Sequence, residues 1–341
     1  MMNIQFLHSD QSFSELSDIW EALLSCSGTN TPFQQPGYLD AWWSTMGGGE
    51  WDDGELWLGV GKVEGGEIAG IAPLFFNKDR NGRPSILIVG SVEVSDYLDF
   101  IVSESATEEF VDALLGSLDV EGPEGWEVLD LYNLPEGSST VQALQRSAEK
   151  RGWRVEVERI SPVPFVTLAD SWDAYLQVLN SKRRKEVKRK LRRAEEYPAR
   201  VSWRIVDGDA LIEPEIDLLL GLMQKDSEKR AFLADRMMEF FRRLALISHK
   251  RGWLQLAFLE VGGEPVFGYM NFDYDDKLWI YNSGFNPSHY ELSPGWVLMA
   301  HLIRWAIDHG RTEVDFLRGD EDYKYRLGGV DRHIVRLTIE R

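Results

Sequence analysis

Near the end of the chain, "EVDFLRGDEDYKY" (Glu313 to Tyr325) gathers Arg318, Asp320, Glu321, Tyr323 and Lys324 directly behind a strand-like run. Carboxylates, phenols, a guanidinium and an ammonium set so closely can exchange protons and hold anions. Ligands of open α/β sheets collect at strand ends, so the position suits a site. A solvated turn is the plainer reading of the same charges. Lys324 reads equally as an anchor for a carboxylate or phosphate and as an ordinary surface lysine.

A second stretch, "HYELSPGWVL" from His289 to Leu298, opens a long apolar helix. Ser293 suits the N-cap, and Pro294 suits the first helical position, where its missing N–H leaves no bond unmade. Gly295 is less expected, since glycine inside a helix costs about 1 kcal/mol relative to alanine. It lets a ligand approach the backbone, and the open N–H groups of a first turn attract anions, phosphate among them. An ordinary capped helix is the alternative. Tyr290 and Glu291, just upstream, either line a cleft or only shape the loop. A third stretch, "SKRRKEVKRKLRRAEEY", carries nine Lys or Arg residues between Lys182 and Arg193. Val187, Leu191 and Ala194 fall at i, i+4 and i+7 and give that helix a thin apolar stripe. It is either a solvated surface helix or one whose charge, chiefly Lys182, Arg183 and Arg184, meets phosphate.

The elements that must position these residues come as two runs of the same order. "FSELSDIWEALLSC" reads as one amphipathic helix, and "PSILIVGSV" and "YLDFIVS" read as strands. "ELWLGVGKVEGGEIAGIAPLFFN" and "WLQLAFLEVGGEPVFGYMNFDY" read as hairpins turning at Gly65-Gly66 and Gly262-Gly263. "WEVLDLYNLP" in the first run answers "TEVDFLRGDE" in the second. Such a period, near half the chain, indicates an internal duplication. The halves are expected at 1–160 and 161–341, meeting near the proline-bearing "ISPVPFVTL". The first copy has no Pro-Gly at its helix start, and "YNLPEGSST" replaces the charged stretch. Chemistry is therefore expected in the C-terminal half.

Composition narrows the class. At 341 residues two domains are expected, and 43% hydrophobic with 12% aromatic residues suffice for packed cores. The 13 tryptophans are scattered and read as core or cleft-wall residues. A net charge of −19 repels DNA and anionic membranes over most of the surface. Cys26 is the single cysteine, and the 6 histidines lack ligand spacing, so neither a disulfide nor a metal is expected. No signal peptide or membrane span is legible, which points to the cytoplasm.

The run "YNSGFNPSHYELSPGWVLMAHLIRWAIDHGRTEVDFLRGDEDYKYRLG" closely resembles the C-terminal part of the CelD-type acetyltransferases associated with cellulose biosynthesis, within the GNAT superfamily. "SKRRKEVKRKLRR" is similar to that family's basic helix. Together these cover roughly residues 165 to 328. Val266-Phe267 departs from the family's usual small residues, Leu327 from a frequent tryptophan, and only Leu292-Ser293-Pro294-Gly295 represents the phosphate loop. The resemblance implies a mixed-sheet α/β fold, duplicated in tandem as in FemABX-type peptidyltransferases. It implies an acyl-CoA co-substrate, acetyl-CoA or another, wedged between parting strands with its pyrophosphate on Leu292, Ser293, Pro294, Gly295 and Trp296. The N–H groups of Gly295 and Trp296 would face it. The acceptor would be a primary amine on an amino sugar, nucleotide sugar or amino acid, in polysaccharide or cell-envelope biosynthesis. Asp315, Asp320 and Glu321 are the candidate bases, and Tyr281 and Tyr323 the candidate acids for the leaving thiolate. Asp315 is open between that role and a structural one. Lys182, Arg183, Arg184, Tyr290, Arg318 and Lys324 are the candidate substrate-binding residues. Two other functions remain: a FemABX-type transfer from aminoacyl-tRNA, and a non-catalytic binding protein that kept the fold.

Overall fold

The two runs of elements fold as two units, Met1–Ser161 with His333–Arg341 and Pro162–Arg332. The computed structural model describes residues 2–51, 53–90 and 92–341.

In the first unit the chain runs β1 (Asn3–Leu7), α1 (Ser12–Glu15), α2 (Ser17–Ser25), α3 (Pro36–Gly49), β2 (Glu55–Lys62), β3 (Ile68–Lys78), β4 (Pro84–Ile88), β5 (Ile101–Val102), α4 (Thr107–Glu121), β6 (Val128–Pro135) and α5 (Ser139–Lys150). Next comes β7 (Arg154–Thr167), whose residues 162–167 already belong to the second unit. That unit continues with α6 (Trp172–Val178), α7 (Ser181–Glu195), β8 (Val201–Ile205), α8 (Ile212–Met223), α9 (Ser227–Phe232), α10 (Asp235–Lys250), β9 (Leu254–Val261), β10 (Glu264–Tyr274), β11 (Lys277–Phe285), α11 (Pro294–Asp308), β12 (Glu313–Asp315) and α12 (Asp322–Arg326), and β13 (Val330–Glu340) ends the chain. The strands of the first unit pair in the order β1-β2-β3-β4-β6-β13, with β5 on β3; those of the second pair in the order β7-β12-β11-β10-β9-β8. Both are mixed sheets: β4–β6 and β11–β12 are parallel, and the other pairs described are antiparallel.

Several expectations change. The single helix at 13–26 is two, α1 and α2, broken at Leu16. The strand expected at 84–92 ends at Ile88, and its Ser91 lies outside the described residues. The division between the units falls between Ser161 and Pro162, inside "ISPVPFVTL", and that stretch runs in β7 as far as Thr167: proline fits an extended chain, and the carbonyls of Pro162 and Pro164 accept from Gly319 and Phe316 N–H. Residues 333–341, expected with the C-terminal half, belong to the first unit. Ile334, Val335, Leu337 and Ile339 are fully buried there, and β13 pairs with β6 from Ile334↔Pro135 to Glu340↔Val128.

In the second unit the apolar residues divide between two faces of the sheet. On one, α7 and α11 share a core with Val266, Phe267, Tyr269, Leu278 and Ile280. On the other, α8 lies so close to β11 that a Cβ on Gly284 would come within 2.7 Å of Leu222 Cβ and Met223 N. Helix backbone cannot yield as a flexible side chain can, so glycine is the residue that fits. Gly284→Ala should lower the unfolding free energy by roughly 2–3 kcal/mol. Urea denaturation checks this; an unchanged midpoint would show that α8 does not press on β11.

Candidate functional site

The site begins where two parallel strands part. β11 and β12 pair at three positions only, Lys277↔Glu313, Leu278↔Val314 and Trp279↔Asp315. Past Asp315 the chain stays with β7, since Phe316 N–H donates to Pro164 O (2.9 Å) and Gly319 N–H to Pro162 O (3.1 Å). β11 instead continues along β10, through Ser283↔Tyr269 to Phe285↔Phe267. Tyr281 is the extra residue of a bulge at the parting, because Met270 faces Asn282 while Asn271 faces Ile280. Its ring packs on Phe272 (4.8 Å) and Phe241 (6.0 Å), the α10 face of the sheet.

The turn before α11 differs from the expected cap. Ser293 adopts a left-handed conformation (φ 53°, ψ 54°), and its side chain makes no capping bond. A capping serine needs extended backbone to fold its hydroxyl over the first turn. Here the Ser293 carbonyl takes over, accepting from Trp296 N–H (3.0 Å) and Val297 N–H (3.1 Å). The Trp296 amide is thus engaged, and of the two amides expected to face an anion only that of Gly295 has no acceptor among the described residues. Leu292 is a core residue, 1% exposed. Gly295 has a packing reason too: a Cβ there would lie 2.6 Å from the Phe267 ring. Trp296 is buried, its indole Nε1 without a partner, and the Lys190 ammonium stands 5.1 Å above its ring. Burial holds the Lys190 amine below the usual lysine range. Tyr290 is exposed.

The basic helix α7 reaches this turn at Lys190. Asn180 caps it, accepting from Arg183 N–H (2.9 Å), and Val187 and Ala194 are buried under α11 with Leu191 half-buried. Glu186 pairs with Arg326 of α12 (3.1 Å), while Lys190 covers Trp296 and Tyr197 donates to Glu291 (2.7 Å). Lys182, Arg183 and Arg184 therefore belong to the α12 end, about 10 Å along the axis from Lys190.

Lys324 is neither a surface lysine nor a free anchor. It is 2% exposed, and its ammonium donates to the carbonyls of Leu317 (2.9 Å), Arg318 (2.7 Å) and Gly319 (3.2 Å), with Glu321 at 2.8 Å. It gathers a turn that contains the left-handed Leu317 (φ 57°) and Gly319 (φ 113°). Glu321 and Asp320 are exposed and Arg318 is half-buried. Burial pushes the hydroxyls of Tyr323 and of Tyr269, on β10, above the usual tyrosine range, and the Glu321 carboxylate nearby pushes the same way. Tyr269 also donates to Gly295 O (3.3 Å). The parting of the strands thus brings together Glu321, Tyr323, Tyr269 and the first turn of α11. Sequence reading missed Tyr269, which looks like a core aromatic, and Lys229, which sits in a polar stretch. The Lys229 ammonium reaches Ser283 O (2.5 Å) and Oγ (3.2 Å) on β11, and burial lowers its pKa.

The first unit serves as an internal control for Asp315. Its β4 and β6 also pair in parallel at three positions, and the third, Leu87↔Asp130, corresponds to Trp279↔Asp315. Both aspartates are fully buried, and each meets an arginine of β13: Asp130 meets Arg336 (2.7 and 2.9 Å), and Asp315 meets Arg332 (3.5 Å) while accepting from Leu317 N–H (2.8 Å). A buried aspartate thus ends the ladder in both copies, held by two short bonds from its arginine at Asp130 and mainly by the Leu317 amide at Asp315. The opening itself differs. In the first unit, residues 92–100 follow β4 and bury Val92, Val94, Leu98 and Phe100, and Asn133 at the end of β6 binds Leu98 N–H (2.9 Å) and Ser95 O (2.7 Å). The first copy fills its gap with its own chain.

Among the described residues no helix is long and apolar enough to cross a membrane, and no group of three or more His, Cys, Asp or Glu is placed to hold a metal. Two substitutions test the geometry. Gly295→Ala should cost about 1–2 kcal/mol despite alanine's better helix propensity, and Phe267→Leu should restore it, in a double-mutant cycle followed by urea unfolding. A neutral Gly295→Ala would mean that the Phe267 ring is not what the glycine serves. Lys324→Met should lose about 3 kcal/mol, because the carbonyls of Leu317, Arg318 and Gly319 lose their donor. A stability within about 0.5 kcal/mol of wild type, the usual effect of a surface change, would contradict the turn-gathering role.

Residues 181–325 match the protein family described as "Acetyltransferase (GNAT) domain". No curated protein matches the chain. Among solved structures it is similar to FemX, at 13% identity and a TM-score of 0.66, covering 97% of this chain and 96% of that one. It is similar to the C-terminal domain (DUF2156) of a putative lysylphosphatidylglycerol synthetase from Agrobacterium fabrum, at 10% identity and a TM-score of 0.57, covering 98% and 93%. A tandem GNAT protein from the clavulanic acid biosynthesis pathway aligns at 11% identity and a TM-score of 0.50, covering 100% and 98%. At these identities the likeness is one of fold. The chain has a mixed α/β fold shared along its length with FemX and a tandem GNAT protein, and residues 181–325 match the GNAT acetyltransferase domain family.

Proposed function

We propose that the unit 162–332 transfers an acyl group from acyl-CoA to a primary amine of a small acceptor, in the manner of the CelD-type enzymes of polysaccharide or cell-envelope biosynthesis, in the cytoplasm. The observation that carries this reading is the three-pair ladder of β11 and β12, which opens toward the first turn of α11. The residues of that turn fit an anionic group. Gly295 N–H and Trp296 Nε1 lack acceptors among the described residues, and Lys190 adds a desolvated positive charge. The donor set is one amide, one indole and one ammonium, in place of the two backbone amides expected.

The thioester supplies an activated carbonyl; the chain's residues orient and move protons. As the amine nitrogen bonds to the carbonyl carbon and the carbon–sulfur bond breaks, Glu321 accepts the amine proton. Tyr323, kept protonated by burial, gives its proton to the departing thiolate. Tyr269 is the alternative donor, already bonded to the α11 turn. Asp320, Arg318 and Tyr290 stand outside this pair and are assigned to the acceptor.

Acyl-CoAs at about 100 times their dissociation constant should stabilise the protein by about 2.7 kcal/mol, seen as a rise in Tm. No shift with any thioester or free CoA would remove the donor. Glu321→Gln should lower kcat by roughly 100-fold or more while leaving that shift intact; full activity in the variant would remove Glu321 as base. A second reading is kept by one observation. The outward face of α7, with Lys182, Lys185, Lys188, Arg189, Arg192 and Arg193 exposed, suits a polyanion in a chain with the fold of FemX. Stabilisation by aminoacyl-tRNA with a steep salt dependence would favour an aminoacyl-tRNA donor over acyl-CoA.

A further inference from the structure

The open edge of β11 is already occupied by side chains. In an antiparallel pair, alternate residues turn both backbone groups away from their partner. Ser283 does so on the side that β12 has left. Its N–H donates to Asn282 Oδ1 (2.9 Å), and its C=O accepts from Lys229 Nζ (2.5 Å). The same ammonium reaches Ser283 Oγ (3.2 Å) and Asn282 Oδ1 (3.4 Å). Donor and acceptor of this rung are thus both satisfied by side chains, at the place where a neighbouring strand would pair.

We propose that Lys229 is a specificity-determining residue of the donor site: with Asn282 it stands in for the missing strand, and it yields to a chain that brings an amide N–H and C=O of its own. The inference rests on the acyl-CoA reading above, and it names the side chain that the donor must displace. A ligand without an amide at that level would cover the half-buried Ser283 carbonyl and leave it unpaired, which lowers affinity roughly ten-fold or more. Withdrawal of Lys229 disturbs little packing, because Ser227, Arg230 and Ala231 of α9 are exposed. The displaced ammonium stays within the field of Asp226 and Glu321, which favour its charge.

The test is the dissociation constant of CoA, measured by calorimetry on the full chain and on Lys229→Met, Asn282→Ala and Lys229→Arg. The proposal expects Lys229→Met to bind CoA about ten-fold more tightly, since a competitor for the edge is gone. Asn282→Ala should move the same way, and Lys229→Arg should stay near wild type because it restores a donor. Circular dichroism melts confirm that each variant folds. Equal or weaker binding by Lys229→Met and Asn282→Ala, with wild type binding CoA, overturns this inference and leaves the donor reading standing. If wild type and variants alike fail to bind CoA, the donor reading falls and this inference falls with it.

Discussion

Everything in the second unit that resembles a site depends on β12 leaving β11 after the third pair. The departure is held from one side only. β7 keeps the chain through Pro164 and Pro162, Asp315 accepts from the Leu317 amide, and Lys324 draws three carbonyls into the next turn. β11 cannot go with it, because β10 and the α8 backbone over Gly284 fix it. The two strands belong to different neighbours, so the gap is built into the packing of both. A buried lysine saturated by carbonyls is a positioning device: it sets where Glu321 and Tyr323 stand.

The two copies separate fold from function. Both keep the three-pair parallel ladder ending in a buried aspartate with an arginine of β13, which makes that feature architectural. They differ in how the gap beyond the ladder is treated. The first copy returns its own residues 95–98 against the end of β6, and the second leaves the corresponding edge of β11 to two side chains. The charged residues Arg318, Asp320 and Glu321 occur only beside the edge that is not filled by backbone.

Much of this was legible in the sequence because it obeys local rules. Gly65-Gly66 and Gly262-Gly263 do turn hairpins, all four with positive φ, and the apolar pattern of 294–308 gives α11. The order of elements in the two halves disclosed the duplication, and the charged stretch lies at the end of the strand that parts from β11. What could not be read was which partner each polar group would find. Ser293 looked like a cap, yet its backbone turned left-handed and its carbonyl did the capping. Lys324 looked exposed, yet the turn folds around it. Lys229 and Tyr269 gave no local signal, because their significance lies in strand pairings remote in sequence. Lys190 was one of nine similar cations until the stripe Val187–Leu191–Ala194 fixed which of them meets Trp296.

The central claim is that the unpaired edge of β11 receives an extended ligand. Amide hydrogen exchange, read by mass spectrometry with and without acetyl-CoA, tests it most directly. The account predicts slowed exchange in residues 280–285 and in the first turn of α11, with no change in residues 84–102 of the first copy. Protection confined to other segments, or none at all under saturating acetyl-CoA, would contradict it.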